Sequence, residues 1–308
     1  MKRLAGRPLL KLLESVPNFS EGRRPAVVDK IVAAARAVPG VRVLDVHSDQ
    51  DHNRSVLSLL GQSSAVQEAV FQAISTATRL IDLREHSGEH PRVGATDVVP
   101  FIPIGDSTMD DAVSAARALG DRVVRELEIP VYFYEEAATG PERQNLENIR
   151  RKGFEELREA IEFDDSRIPD LGPRRLHPSA GAIVIGARGP LIAYNIYLDT
   201  DDVTVAKAIA KAVRHSGGGL RHVKALGIDI PARRQVQVSM NLTNYRRSAV
   251  YTVFEMVKAH AESHGVRITH SEVVGLIPLD ALVDAARFYL RLHEFERDQI
   301  LESKLMAE

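Results

Sequence analysis

"VRVLDVHSDQDHNRSVLSLLG", residues 41–61, sets the architecture. Apolar and β-branched residues fill 41–48 and 54–61, and the polar "DQDHN" between them suits a turn, so the stretch reads as two linked strands. Helical patterns bracket it. Upstream, "RPAVVDKIVAAARAV" (24–38) is alanine-rich with apolar residues at helical spacing, and Gly40 follows as a stop. Downstream, 63–81 is a second helix, with Ser63 or Ser64 able to cap it. The alternation continues with a strand over 96–104, a helix over 108–128 and a strand over 130–136. Acids crowd the first turn of the 108–128 helix, as the helix dipole favours. A charged stretch, 143–162, is helical in pieces. Pro100 and Pro103 cannot donate to a ladder, so the 96–104 strand is expected to be irregular or at a sheet edge.

"DDSRIPDLGPRRLHPSAGA" (164–182) interrupts this rhythm with three prolines and two glycines, and reads as a crossing segment or a binding loop. Beyond it the alternation restarts. Strands are expected over 182–188, 191–198, 233–245 and 267–278. Helices are expected over 204–216 and 248–265, with more helix to the C-terminus. This predicts two lobes, 1–188 and 189–308, each a sheet covered by helices. The lobes share a rhythm but not a sequence, and the strand order is not readable.

Composition narrows the class. The chain has 308 residues, 44% hydrophobic and 27% charged, with a formal net charge of −2. No global basic field argues for nucleic acid or an anionic membrane. There is no cysteine, which excludes disulfides, thiolate metal sites and a cysteine nucleophile. The first residues lack the clean apolar core of a signal peptide, and no run of about 18 apolar residues occurs. A cytoplasmic enzyme is expected. Neither GxGxxG after a strand nor GxxxxGK[ST] is present, so a nucleotide site of either type is unsupported. The glycines of "SGGGL" (216–220) follow a helix instead of opening one, and read as a turn.

The chemistry concentrates in "HSGEHPRVGATDVVPFIPI", residues 86–104. His86 and His90 are four apart, but Gly88 lies between them and Pro91 pushes His90 out of the helical region, so the pair is unlike a helical metal motif. Asp45, His47, Asp49, Asp51 and His52 are further potential ligands in a polar turn. An acid–base reading uses a histidine that both takes and returns a proton, Glu89 as its orienter and Arg92 as a carboxylate fork. A polar loop ahead of a buried strand remains the bland alternative. "VPNFSEG" (16–22), "DHNRSV" (51–56) and "GPRRLHPSAGA" (172–182) place Asn18, Asn53, Arg54, Arg174, Arg175 and His177 in loops. Several of these loops flank strand ends, where ligands of open sheets gather.

Taken in order, "VPNFSEG", "LDV", "NRSV", "LIDLREHSGEHPRVGATDVVPFIPI", "VYFYEEA" and "LIAYNIYL" resemble the formiminotransferase family, over about residues 14–290. The resemblance implies an α+β fold of two ferredoxin-like subdomains, each a sheet covered by helices, with a folate groove between them. It implies transfer of a formimino group from N-formimino-L-glutamate to N5 of tetrahydrofolate, in histidine degradation and one-carbon metabolism. Tetrahydrofolate would be a co-substrate and no metal would be needed. The catalytic pair would be His90 and Glu89. The folate segment would be Gly172, Pro173, Arg174, Arg175, Leu176, His177, Pro178, Ser179, Ala180 and Gly181. Asn18, Asn53, Arg54 and Arg92 would bind the donor substrate, and the assembly would be a homodimer. Two departures are visible: the middle of the folate segment, Arg174–His177, is atypical, and His47 stands where the family often has an acid. Handling of 5-formyltetrahydrofolate in a salvage or cycloligase-type reaction, or folate binding without catalysis, are the alternatives.

Overall fold

The computed structural model describes residues 11–88 and 91–305. The chain divides into two units, residues 1–188 and 189–308. Both combine an antiparallel arrangement of strands with covering helices, an α+β fold in two subdomains.

The first unit begins with an interrupted strand, β1 (Lys11–Ser15) and β2 (Asn18–Phe19). Then come α1 (Pro25–Arg36), β3 (Val41–Asp49), β4 (Arg54–Gly61), α2 (Ser63–Leu80) and β5 (Thr96–Gly105). β1 and β2 both pair antiparallel with β4 on one side and β5 on the other, and β3 pairs with the outer edge of β4. This β-α-β-β-α-β unit has the spatial order fourth, first, third, second, which is the ferredoxin-like arrangement. An extension adds α3 (Met109–Leu127), β6 (Val131–Glu135), α4 (Leu146–Arg150), α5 (Gly153–Ala160) and β7 (Ile183–Ala187). β7 inserts between β5 and β6, parallel to both.

The amphipathic stripes explain the packing. Val28, Ile31, Val32 and Ala35 of α1 and Val66, Ala69, Val70, Ala73, Ile74 and Ala77 of α2 are buried against Leu13, Leu57, Leu59 and Phe101 of the sheet. Thr108 caps α3, its hydroxyl accepting from the Asp111 N–H while the Asp111 carboxylate accepts from the Thr108 N–H. A second cluster, including Tyr132, Tyr134, Ile149, Leu157 and Val184, joins α4 and α5 to the extension.

The 96–104 strand, expected to be irregular or at an edge, is irregular: its pairing with β2 shifts register between Asn18 and Phe19, and it lies in the sheet interior despite its two prolines. The carbonyl of Pro100 accepts from the Val16 N–H (3.4 Å) and the Ser15 hydroxyl (2.9 Å), so its missing donor faces the break between β1 and β2. Phe101 faces the other way, accepting from the Arg188 N–H at 3.0 Å. Pro103, two residues on, points to that same side, beyond Ala187 where β7 ends. Both prolines therefore sit where no ladder partner would be lost.

The second unit runs β8 (Ile192–Leu198), α6 (Val203–Val213), β9 (Val223–Ile230), β10 (Gln235–Leu242), α7 (Val250–Ser263), β11 (Ile268–Val274), α8 (Leu279–Leu290) and α9 (Leu301–Leu305). Its strand order is β11-β8-β10-β9, all antiparallel, the same arrangement as in the first unit. β9 is absent from the sequence reading. Its charges and Gly227 hide the alternation, but Gly227 has a packing reason: a Cβ there would stand 2.3 Å from the Lys207 N in α6. The closing helix is two helices, separated by Arg291 in the left-handed conformation (φ 52°). Among the described residues no helix is long and apolar enough to cross a membrane.

Candidate active site

Because β2 is antiparallel to β4 and β5, its C-terminal end adjoins their N-terminal ends. The loops attached there converge: 20–24 after β2, 50–53 before β4, and 81–88 with 91–95 before β5. Asn53 ties them together. It adopts the left-handed conformation (φ 48°), is 8% exposed, accepts from the Gly22 N–H (2.9 Å) and donates to the Ser87 carbonyl (2.9 Å). Ser20 donates from its hydroxyl to the Gly94 carbonyl (2.7 Å), and its N–H donates to the Ala95 carbonyl (2.9 Å). The buried Glu21 accepts from the N–H groups of Arg23 (2.9 Å) and Arg24 (2.8 Å).

These ties enclose a recess lined by Phe19, Ser20, His52, Asn53, Arg54, His86, Arg92 and Asp97. Its electrostatics are dominated by guanidinium groups. Arg92 is 9% exposed and grips Glu155 with both arms (2.8 and 3.2 Å) while donating to the His86 carbonyl (2.9 Å). Burial opposes the Glu155 charge most strongly, but hydrogen bonds from Arg92 and the backbone together with the Arg92 and Arg158 charges outweigh it and hold that carboxyl below its usual range. Asp97, 2% exposed, accepts from the Val93 N–H (2.8 Å) and forms an ion pair with Arg150. Among the described residues Arg54 has no such ion pair, and its Nε is buried without a hydrogen-bond partner. Burial and the neighbouring Arg150 both lower its pKa, opposed by Asp49 and Asp97.

His86 completes the wall. Its Nε2 lies 3.1 Å from the Asn53 carbonyl, which places the proton on Nε2 and leaves Nδ1 as an acceptor. That Nδ1 is buried and unpartnered. Burial chiefly, with help from the Arg92 charge, pushes the imidazole pKa below 6.5, so it is neutral at pH 7.

The 172–181 segment packs directly on Leu83 and on residues 93–95. The N–H groups of Leu83, Ala95 and Ala182 donate to the carbonyls of Ser179, Ala180 and Val93, each at 2.9 Å. Gly94 is required there, since a Cβ would stand 1.9 Å from the Ala182 carbonyl oxygen. The turn closes on itself through reciprocal His177–Gly181 backbone bonds at 3.0 Å. The His177 Nδ1 accepts from the Ala180 N–H (3.0 Å), leaving Nε2–H free to donate outward. Burial lowers the His177 pKa, which keeps this tautomer neutral. Arg174 is tied to the Ile161 carbonyl (2.9 Å) and Asp165 (2.8 Å), whereas Arg175 is exposed beside it.

The structure thus gathers Asn53, Arg54 and Arg92 at one recess and sets the 172–181 segment against the loop that carries it. Asn18 sits in the strand leading there and donates to the Val16 carbonyl (3.0 Å). Glu89 and His90 lie outside the described residues. His47 is exposed on β3, opposite Val56. Among the described residues no three His, Asp or Glu side chains are placed to hold a metal ion. Asp97, Arg150 and Glu155 are participants that the sequence reading missed. A lone acid opening a buried strand was a legible signal for Asp97. Nothing in the charged 143–162 stretch singles out Arg150 or Glu155.

Known proteins resemble this chain throughout. The family model of the formiminotransferase domain, N-terminal subdomain, matches residues 12–188, and that of the formiminotransferase domain matches residues 193–305. A glutamate formimidoyltransferase of Streptococcus pyogenes serotype M1 is 46% identical over 300 residues, covering 97% of this chain and 100% of that protein. One from Thermoplasma acidophilum is 47% identical over 298 residues, covering 96% and 98%. The formimidoyltransferase-cyclodeaminase of Rattus norvegicus is 42% identical over 285 residues, covering 91% of this chain and 52% of that protein.

Proposed function

This chain belongs to the formiminotransferase family, and from that membership we propose that it transfers the formimino group of N-formimino-L-glutamate to N5 of tetrahydrofolate. The products are 5-formiminotetrahydrofolate and L-glutamate. The observation that carries this reading is identity of 46–47% to two glutamate formimidoyltransferases across nearly the full length of each.

The chemistry asks for two nitrogens to exchange one carbon with no change of oxidation state. Protonation of the formimino nitrogen makes its carbon electrophilic. N5 of the reduced pterin attacks, giving a tetrahedral carbon bonded to three nitrogens. The N5 proton must leave and the glutamate nitrogen must gain one before it departs. His90 serves both steps, with Glu89 as its orienting acid in place of the acid absent at His47, contributing roughly 10²–10⁴-fold. Positioning two substrates together supplies much of the remainder.

The arrangement of the described residues supports particular roles. Arg54, which forms no ion pair among the described residues, holds a donor carboxylate. Asn53 and Arg92 act by holding the loops and the recess wall, since their polar groups are engaged with protein partners. Arg92 can turn to substrate if Glu155, whose side chain is 60% exposed, swings away. In the 172–181 segment, His177 and Arg175 are the groups free to face folate. Tetrahydrofolate is a co-substrate, no metal takes part, and the enzyme works as a cytoplasmic homodimer in this reading.

The test of His90 is its replacement by alanine. The variant should keep tetrahydrofolate binding by calorimetry and lose about 10²–10⁴-fold in kcat. Undiminished turnover would remove His90 from the mechanism.

A further inference from the structure

Exposed large hydrophobic side chains occur singly or in pairs over most of the described residues, but they crowd into 276–292. Contiguous exposed apolar surface marks an interaction site. Helix α8 accounts for the crowding, because it carries three stripes. The first packs inward: Ala281 is 3% exposed in the core of the second unit, and Phe288 stacks on Tyr251 with ring centroids 4.4 Å apart. The second is charged and holds Asp280, Asp284, Arg287 and, at the C-terminal cap, Arg291. The third is apolar and faces outward. It holds Leu279, Leu282, Ala286 and Leu290, with the three leucines 37%, 48% and 68% exposed. A helix that is apolar on a second face is suited to burial on both.

The charges identify what covers the outward stripe. Asp280 is engaged within the chain, paired with Arg246 (3.3 Å) and Arg297 (2.8 Å). Asp284, Arg287 and Arg291 are exposed and form no ion pair among the described residues. Acids precede bases along the helix, so a second α8 running antiparallel brings unlike charges together, whereas a parallel one brings like charges together. With Ala286 at the crossing point, Leu282 comes level with Leu290 of the partner subunit. Asp284 then comes within one residue, about 1.5 Å along the axis, of Arg287 of the partner subunit. The small Ala286 side chain lets the two helices approach closely. The helix dipole also favours acids first and bases last, but it does not require all of them on one stripe beside the apolar one. We propose that α8 is a two-fold interface, on which a second copy of this chain packs its own α8 antiparallel. The leucines and Ala286 form its centre, and the Asp284–Arg287 pairs form its rim. This gives a surface to the homodimer of the functional reading and does not depend on the reaction.

The experiment is sedimentation equilibrium of the full-length protein and of variants at exposed positions. The unaltered protein should have twice the 34.0 kDa mass of one chain. Leu282→Glu puts a charge into the interface from each subunit and should raise the dimer dissociation constant about 100-fold or more. Asp284→Arg alone and Arg287→Asp alone each set like charges together twice, by symmetry, and each should weaken the dimer about 10-fold. The double variant, Asp284→Arg with Arg287→Asp, restores unlike pairs and should recover most of that loss. A monomeric unaltered protein, a dimer unmoved by Leu282→Glu, or a double variant no better than the single ones overturns the proposal. Lower stability of Leu282→Glu at unchanged mass also overturns it, since the stripe is then covered by residues of its own chain. Should that variant unfold, shown by its melting curve, the charge exchange at Asp284 and Arg287 still decides. Turnover of N-formimino-L-glutamate is measured in parallel. A dimer without turnover refutes the functional reading alone, and a monomer with turnover refutes the interface alone.

Discussion

The two units solve the same folding problem and differ in what they leave unsatisfied. Each is a β-α-β-β-α-β unit with the same strand order. In the second, the polar face of the sheet is internally paired: Asn195 and the Tyr197 hydroxyl both donate to Glu272 (3.2 and 3.1 Å), and Tyr197 stacks on His270 with ring centroids 4.3 Å apart. In the first, the first strand breaks at Val16–Pro17, and the loops beyond that break enclose buried donors and an acceptor that find no partner among the described residues. The second unit leaves the buried Arg214 Nε and Ser303 Oγ unpartnered, far apart in the sequence, whereas the first gathers unpartnered atoms of Arg54, His86 and Arg92 around one recess. Sites of chemistry are expected where local consistency is given up.

The sharpest way to break this comparison is to add one methyl to each unit. Gly94→Ala drives a Cβ into the Ala182 carbonyl and parts the two loops. It should cost about 3 kcal/mol or more and remove activity from whatever remains folded, measured by denaturant unfolding and by assay. Gly227→Ala presses a strand against α6. It should cost roughly 1–3 kcal/mol while the folded fraction keeps its kcat. If both substitutions affect activity alike, the assignment of function to the first unit's loops is wrong.

A middle-sized effect comes from pH. Burial depresses the pKa values of His86 and His177 in the folded chain below their ordinary 6.5, so the unfolded chain binds protons first as pH falls. Stability is therefore fully present above about pH 6.5 and is lost as pH drops below it through the folded values. The melting temperature should decline from pH 7 to pH 5, and His86→Gln should flatten part of that decline. An unchanged slope in the variant would remove His86 from the titrating set. The smallest effect belongs to the second unit. Tyr197→Phe deletes one bond to Glu272 while Asn195 still satisfies the carboxylate, costing about 1 kcal/mol in denaturant unfolding.

Much of the fold was legible because its signals are local. The hairpin of β3 and β4 and the helices on either side of it are written in alternation and in 3.6-residue spacing. β9 was missed because Gly227 answers to the backbone of α6, a partner twenty residues earlier. Which of the two alternatives held for β5, irregular or at an edge, was not legible, because its prolines are tolerated by features elsewhere, the break at Val16–Pro17 and the end of β7. The site divides the same way. Asn53, Arg54 and Arg92 stand out in short motifs. The Arg92–Glu155 pair spans 63 residues and the Arg150–Asp97 pair is similarly remote, so neither has a trace in local sequence. His86 drew notice as half of an apparent metal pair. Only its surroundings give it a different role, a neutral acceptor held in place by the carbonyl of Asn53.

The central claim is formimino transfer, and one incubation tests it most directly. Purified full-length protein is mixed with N-formimino-L-glutamate and tetrahydrofolate, and both products are quantified over time. The account predicts 5-formiminotetrahydrofolate and L-glutamate in equal amounts, with no glutamate formed when tetrahydrofolate is left out. Unconsumed donor, or glutamate released without a folate product, would contradict it.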